Sequence, residues 1–414
     1  MQAAEQRRHG TYTANVIDSL QRYGHAAGEE SRVAQRQHPT PAQLGIAAAL
    51  GMIGGMLVRT YVETTRRRAQ PADGLIDWQQ AEQAALSVSA WQSAPIVNRQ
   101  ARVEQYRRLV ARSEPLIADY LGVTLPKPTE AVHVMDRREW IAANLNSFTA
   151  LFAPVEQLLE RGPMTAAVSG LNRRLLGTQI GLLLGYLSQR VLGQYDLSLL
   201  SAEQQGGALY FVDCNIGALQ RRLGLHDEDF RLWITLHEMT HAFEFEAYSW
   251  VRPHFRSLLE RNFAMLTDDD GGMPALLSRL VSGLSSGRHW LEAVLTDEQR
   301  RLFDEIQALM AVVEGFGNHV MNTVGSQLLP SFHHIEQTIA ERKLRRTTFD
   351  QIVAYLTGLD LKQAQYQLGE AFVDRIVAER GIRGATRLWA GPESLPTMAE
   401  IRQPELWLQR VPAE

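Results

Sequence analysis

Apolar residues recur at helical spacing through most of the chain. Residues 77–92 and 99–121 carry them one turn apart, for example Val103, Tyr106, Leu109 and Val110. That pattern predicts amphipathic helices, and residues 137–161 continue it. Two short runs break the rhythm. Residues 130–135, with Val132 and Val134, and residues 208–213, Ala208-Leu209-Tyr210-Phe211-Val212-Asp213, are apolar and β-prone. They predict strands, the second more strongly. The expected class is mainly α, an α+β chain with a small sheet.

Two other stretches are apolar without being amphipathic. Residues 164–193 contain Gly177, Gly181 and Gly185. Glycines four apart give a helix a flat face that another helix can approach closely. Arg173, Arg174 and Arg190 interrupt the run, so a buried helix is expected there, not a span. Residues 42–58 are rich in Gly and Ala, and nothing from Gln37 to Val58 is charged. A helix packed on the main domain is expected, with membrane association as the second reading. In that second case Arg59, Arg66, Arg67 and Arg68 would keep the main domain on the cytoplasmic side. Pro71-Ala72-Asp73-Gly74 marks a boundary. It separates an N-terminal tail, 1–70, from that main domain, 75–414.

Composition changes little in this picture. The chain has 414 residues, 45% of them hydrophobic, and a net charge of −4. That is ample for a sizeable core and gives no charge argument for nucleic acid. One cysteine, Cys214, excludes an internal disulfide and a cysteine-based metal site. The N-terminus does not read as a secretory signal, and a cytoplasmic setting is expected. No phosphate-binding loop and no repeat is visible.

The chemistry concentrates in Leu232–Phe243, which contains His237-Glu238-x-x-His241. On a helix, residues four apart share a face, so the two imidazoles can meet one ion. Glu238 is then placed to hold and deprotonate a metal-bound water. This is the zinc-hydrolase arrangement, completed by a third protein ligand and an open position. Asp227, Glu228 and Asp229 lie upstream, where acidic residues suit a helix start.

The third ligand has several candidates. A histidine six residues beyond His241 would serve, but that position is Ala247. Glu244 lies on the same helix, too close to its axis to close a tetrahedral site alone. His254 follows Pro253, beyond the motif helix. Glu314 is favoured. It sits inside the apolar run Met310–Met321, after a capping-box signature at Thr296–Gln299. A carboxylate in such a run is costly unless paired or metal-bound. Gly315 and Gly317 would weaken a free helix, and make sense where another backbone comes close. Asn318 shares the face of Glu314. His319 lies about 140° round the helix and suits a supporting or oxyanion-stabilising role.

These residues resemble the zincin-like metallopeptidase type 2 family, whose members include bacterial and archaeal proteins described as hydrolases or associated with deazaflavin-coenzyme biosynthesis. The resemblance rests on Phe230-Arg231-Leu232-Trp233 leading into the motif, on Glu314-Gly315 with His319-Val320-Met321, and on a C-terminal block. That block comprises Gln365-Tyr366, Gly369-Glu370-Ala371-Phe372 and Trp389-x-Gly391-Pro392-Glu393-x-Leu395-Pro396. The resemblance covers roughly residues 75–414. It implies a mainly helical zinc-hydrolase core with His237, His241 and Glu314 as ligands and Glu238 as base.

The resulting expectation is a zinc-dependent hydrolase, a metallopeptidase acting on a peptide or protein. His319 or Tyr248 would stabilise the oxyanion. The alternative is a metal-binding scaffold that engages a partner, motivated by residues 42–58 and the basic cluster Arg342, Lys343, Arg345 and Arg346. Glu370 and Tyr366 share a helix face, directed at the cleft or at a buried hydrogen bond.

Overall fold

The computed structural model describes residues 76–90, 96, 98–129, 131–160, 170–195, 207–267, 296–344 and 359–412. The tail, the apolar stretch 42–58, Arg345, Arg346 and the helix expected over 348–357 lie outside these residues. So do the side chains of Arg342, Lys343, Gln363 and Tyr366.

Helices dominate, as the periodicity predicts. The chain runs α1 (Trp78–Val88), α2 (Arg99–Leu121), β1 (Val132–Met135), α3 (Arg137–Glu160), α4 (Gly170–Ser188), β2 (Gly193–Tyr195) and β3 (Leu209–Val212). It continues with α5 (Asp213–Leu223), α6 (Asp227–Ala242), a π-helical turn (Phe243–Ala247), α7 (Val251–Thr267), α8 (Asp297–Leu328) and α9 (Phe332–Leu344). It closes with α10 (Leu359–Thr386), two 3₁₀ turns, α11 (Met398–Arg402) and α12 (Pro404–Arg410). Among the described residues, no helix is long and apolar enough to cross a membrane.

The sheet has three strands in the order β1-β3-β2. β1 runs parallel to β3, with Val132 opposite Leu209, and β2 runs antiparallel to it, with Gly193 opposite Phe211. The stronger strand candidate, β3, is therefore central. Phe211 and Val212 are fully buried in it. The outer strand beside the motif helix is β2. At three residues β2 is too short to show an alternating pattern, and it directly follows the apolar stretch expected to be helical.

The glycines of α4 do what their spacing predicts. An added Cβ at Gly177, Gly181 or Gly185 would come within 2.2 to 2.4 Å of the backbone oxygens of Asp77, Ala81 and Ala85. Helix α4 thus lies on α1 almost backbone to backbone. Its other face is less buried than expected, with Leu175 and Leu182 exposed.

A buried ionic cluster fixes the motif helix. Arg231, fully enclosed, pairs with Asp213 at 2.9 Å and Asp227 at 3.3 Å. Tyr106 donates its hydroxyl to Asp213 at 3.0 Å, and Arg102 reaches Asp227 at 3.2 Å. A buried guanidinium is tolerated only when paired in this way. The cluster joins α2, α5 and α6, so the register of α6 is set before its catalytic-looking end is reached. The acidic first turn of α6 follows His226, whose ring accepts the Asp229 N–H.

Helix α8 is the spine. At 32 residues it is about 48 Å long. The expected capping box is formed: Thr296 accepts the Gln299 N–H, and the Gln299 side chain accepts the Thr296 N–H. It packs against α6, α7 and α10.

Candidate metal centre

His237 and His241 project from the last turns of α6 toward α8. Their Nε2 atoms lie 3.2 Å apart. Glu314 Oε2 is 3.6 Å from His237 Nε2. The three residues offer one donor atom each, all within 4.8 Å of one another. Two nitrogen or oxygen donors held tetrahedrally at zinc distances stand about 3.4 Å apart, and the His237–His241 and His237–Glu314 separations of 3.2 and 3.6 Å bracket that spacing. His237 is 20% and Glu314 27% exposed at the side chain, which leaves the donor set open on one side.

Gly317 makes room for the rings. A Cβ there would lie 3.0 Å from His241 Cε1 and 3.3 Å from His237 Cε1. Gly315 serves the purpose predicted for both glycines: a Cβ there would lie 2.3 Å from the carbonyl carbon of Gly369 on α10. At Gly317 the nearest atoms are those two imidazoles.

Glu244 does not join the donor set. It accepts a hydrogen bond from His241 Nδ1 at 2.7 Å, fully buried in the π-helical turn. A carboxylate behind an imidazole fixes the tautomer that leaves Nε2 free to coordinate. Burial alone would lower the His241 pKa, but the charge and hydrogen bond of Glu244 override it and push it up to about 9. Glu244 itself is raised by burial, against the pull of His241. His254 also stays outside, its ring edge-on to Trp250. Glu246 pairs with Arg252 at 2.6 Å and accepts the Tyr195 hydroxyl, tying β2 to the π turn and α7.

Glu238 is buried beside β2. A Cβ on Gly193 would meet its Oε1 at 2.5 Å, so a larger residue at that strand position would displace the Glu238 side chain. Burial pushes the Glu238 carboxyl up, the neighbouring imidazoles pull it down, and Glu314 adds to the upward push. The net direction is upward from the ordinary carboxylate value, with burial the largest cause.

His319, expected as a supporting or oxyanion-stabilising group, takes its partners from two other helices. Both of its ring nitrogens are engaged, Nδ1 with Asp374 at 2.5 Å and Nε2 with the Tyr120 hydroxyl at 2.7 Å. Position on α8 alone could not show this, because both partners come from helices distant in sequence. Tyr248, the other expected donor, stacks on Trp389, and its hydroxyl is buried without a hydrogen-bond partner among the described residues. Glu370 accepts from Asn322 Nδ2 at 2.9 Å, a hydrogen bond across α8 and α10.

A helical core carrying two histidines and a glutamate at coordination spacing, with a buried carboxylate alongside, defines a zincin-like protein. Residues 76–408 match the family model described as zincin-like metallopeptidase, and the chain belongs to that family. Among solved structures it is similar to one from Chloroflexus aurantiacus described as a candidate hydrolase with a novel fold. The two are 57% identical, the match covers 81% of this chain and 98% of that one, and the TM-score is 0.63. No curated protein matches the chain.

Proposed function

We propose that the protein is a zinc-dependent peptidase whose working unit spans residues 75–414. The observation that carries this is the meeting of His237, His241 and Glu314 donor atoms within 4.8 Å, with Glu238 beside them. His237 and His241 supply neutral nitrogens, and Glu314 supplies the carboxylate that partly balances a divalent charge. Zinc so held would supply Lewis acidity and make a water acidic enough to ionise near neutral pH. Glu238 would hold and move a proton at the site, taking it from water and handing it to the departing amine. Glu244 holds His241 in the coordinating tautomer. Strand β2, the outer strand beside Glu238, offers main-chain groups to an extended substrate. Gly193 keeps that approach close.

The test is metal analysis of the native protein, His241→Ala, Glu314→Ala and Glu238→Gln, beside a peptide-library assay. Support would be about one zinc per native chain, lost in the first two variants and kept in the third. Hydrolysis should fall about 10²- to 10⁴-fold in Glu238→Gln. Retained zinc in Glu314→Ala would remove Glu314 from the ligand set. Undiminished hydrolysis in Glu238→Gln would refute its role as base.

A further inference from the structure

Along the middle of α8, accessibility follows a strict spacing. From Gln307 to Met321 every residue is buried except Met310, Glu314 and Asn318. Ile306 and Asn322, one turn beyond at either end, are also partly accessible. Residues four apart form one row on a helix. Between Gln307 and Met321 the row is therefore the one open stripe on the helix, and the ligand-set residue Glu314 stands at its centre. Its two arms differ in chemistry. Ile306 and Met310 are apolar, whereas Asn318 and Asn322 carry carboxamides. Asn322 is held by Glu370 across the helix pair.

From these observations we infer that α8 forms one wall of an extended peptide-binding groove that crosses the metal centre. This rests on the peptidase reading above. Successive stripe positions are about 6 Å apart along the helix axis. Side chains on one face of an extended peptide recur every two residues, about 6.6 Å. The two periods match over the three central positions. A peptide laid along α8 with its scissile bond at Glu314 thus places one side chain against Met310 and another against Asn318. Met310 accepts an apolar side chain on one side of the cleavage point. Asn318 donates to and accepts from a polar side chain or main-chain amide on the other side. Asn318 is a positioning residue, one turn from a metal ligand and without a part in bond breaking.

Hydroxamates separate the groove from the metal, because the hydroxamate group needs only the ion. The zinc-loaded full-length protein is titrated calorimetrically with acetohydroxamate and with two tripeptide hydroxamates, one extending to each side of the chelating group. Both tripeptides are expected to bind at least tenfold more tightly than acetohydroxamate. Asn318→Ala should remove about tenfold from one tripeptide only, the magnitude of one lost hydrogen-bonding group. Met310→Asn should weaken the other tripeptide. Neither change should alter acetohydroxamate binding. If acetohydroxamate binds and the tripeptides gain nothing, the groove is wrong while the metal centre stands. If Asn318→Ala weakens acetohydroxamate as much as the tripeptides, the residue merely supports Glu314, and the inference fails. If acetohydroxamate does not bind at all, the metal centre itself is wrong and the groove falls with it.

Discussion

Glycine brings helices together in two regions of this chain, and the company it keeps differs. Between α1 and α4, Gly177, Gly181 and Gly185 face backbone atoms, alanine and Val88. Between α8 and its neighbours, Gly315 faces the backbone of Gly369, but Gly317 faces the imidazoles of His237 and His241. In the first region glycine serves packing alone. In the second, two glycines two residues apart divide the work: one lets a helix close in, and the other leaves a volume that chemistry fills. A glycine pattern therefore reports close approach, and the neighbours decide whether backbone or a functional side chain approaches.

The largest expected effect tests the packing half of that contrast. Gly181→Ala and Gly315→Ala each put a methyl group within 2.2 to 2.3 Å of backbone atoms, which cannot retreat as a flexible side chain can. Alanine gains about 1 kcal/mol of helix propensity over glycine. Overpacking against backbone costs about 1–3 kcal/mol and more where nothing can shift, so both variants should lose stability on balance. Denaturant melts would show it. Unchanged midpoints in both would mean that these crossings are looser than drawn.

The second effect sharpens the chemical half. Glu244→Gln removes the carboxylate behind His241, and metal affinity should fall about 10- to 100-fold. Its pH dependence should change as well. In the native protein Glu244 holds the His241 proton above the ordinary imidazole range, at about 9. A metal ion must displace that proton, so native affinity climbs as pH rises toward that value. Glutamine carries no charge to hold the proton, and the climb should end at lower pH. Competition titrations with a chromophoric chelator between pH 6 and 9 measure both. An unaltered profile would show that Glu244 does not govern His241.

How far the molecule was legible in its sequence divides along the same line. The helices, the capping box at Thr296 and the close approach at Gly181 and Gly315 are local matters, and local pattern exposes them. His237, Glu238 and His241 are legible because one helix turn brings them together. Glu314 was reachable only because a carboxylate in an apolar run demands an explanation. Three things were not legible. Strand β2 has three residues and owes its place to β3, a neighbour in space. The partners of His319 come from α2 and α10, and no pattern on α8 encodes them. Glu244 lay in plain view beside the motif, but the π-helical turn that buries it behind His241 carries no sequence signal of its own.

The smallest effect tests the comparison most directly, because one substitution type should act with opposite signs in the two regions. Gly317→Ala places its methyl 3.0 to 3.4 Å from the two imidazole rings. That is tight, but rings at the end of a side chain can give by tenths of an ångström where backbone cannot. The metal-free fold should therefore lose nothing, and should gain up to about 1 kcal/mol from the better helix former in α8. The cost falls on the site. Displaced rings move two of the three donors off a spacing that already suits a tetrahedral ion, and zinc affinity should drop about tenfold, equivalent to about 1.4 kcal/mol. Melting the apo and zinc-loaded forms side by side separates the terms: apo stability holds or rises, while the stabilisation added by zinc shrinks. A Gly317→Ala variant that loses apo stability as Gly181→Ala does would place Gly317 with the packing glycines. The distinction between the two regions would then fail at the position where it matters for function.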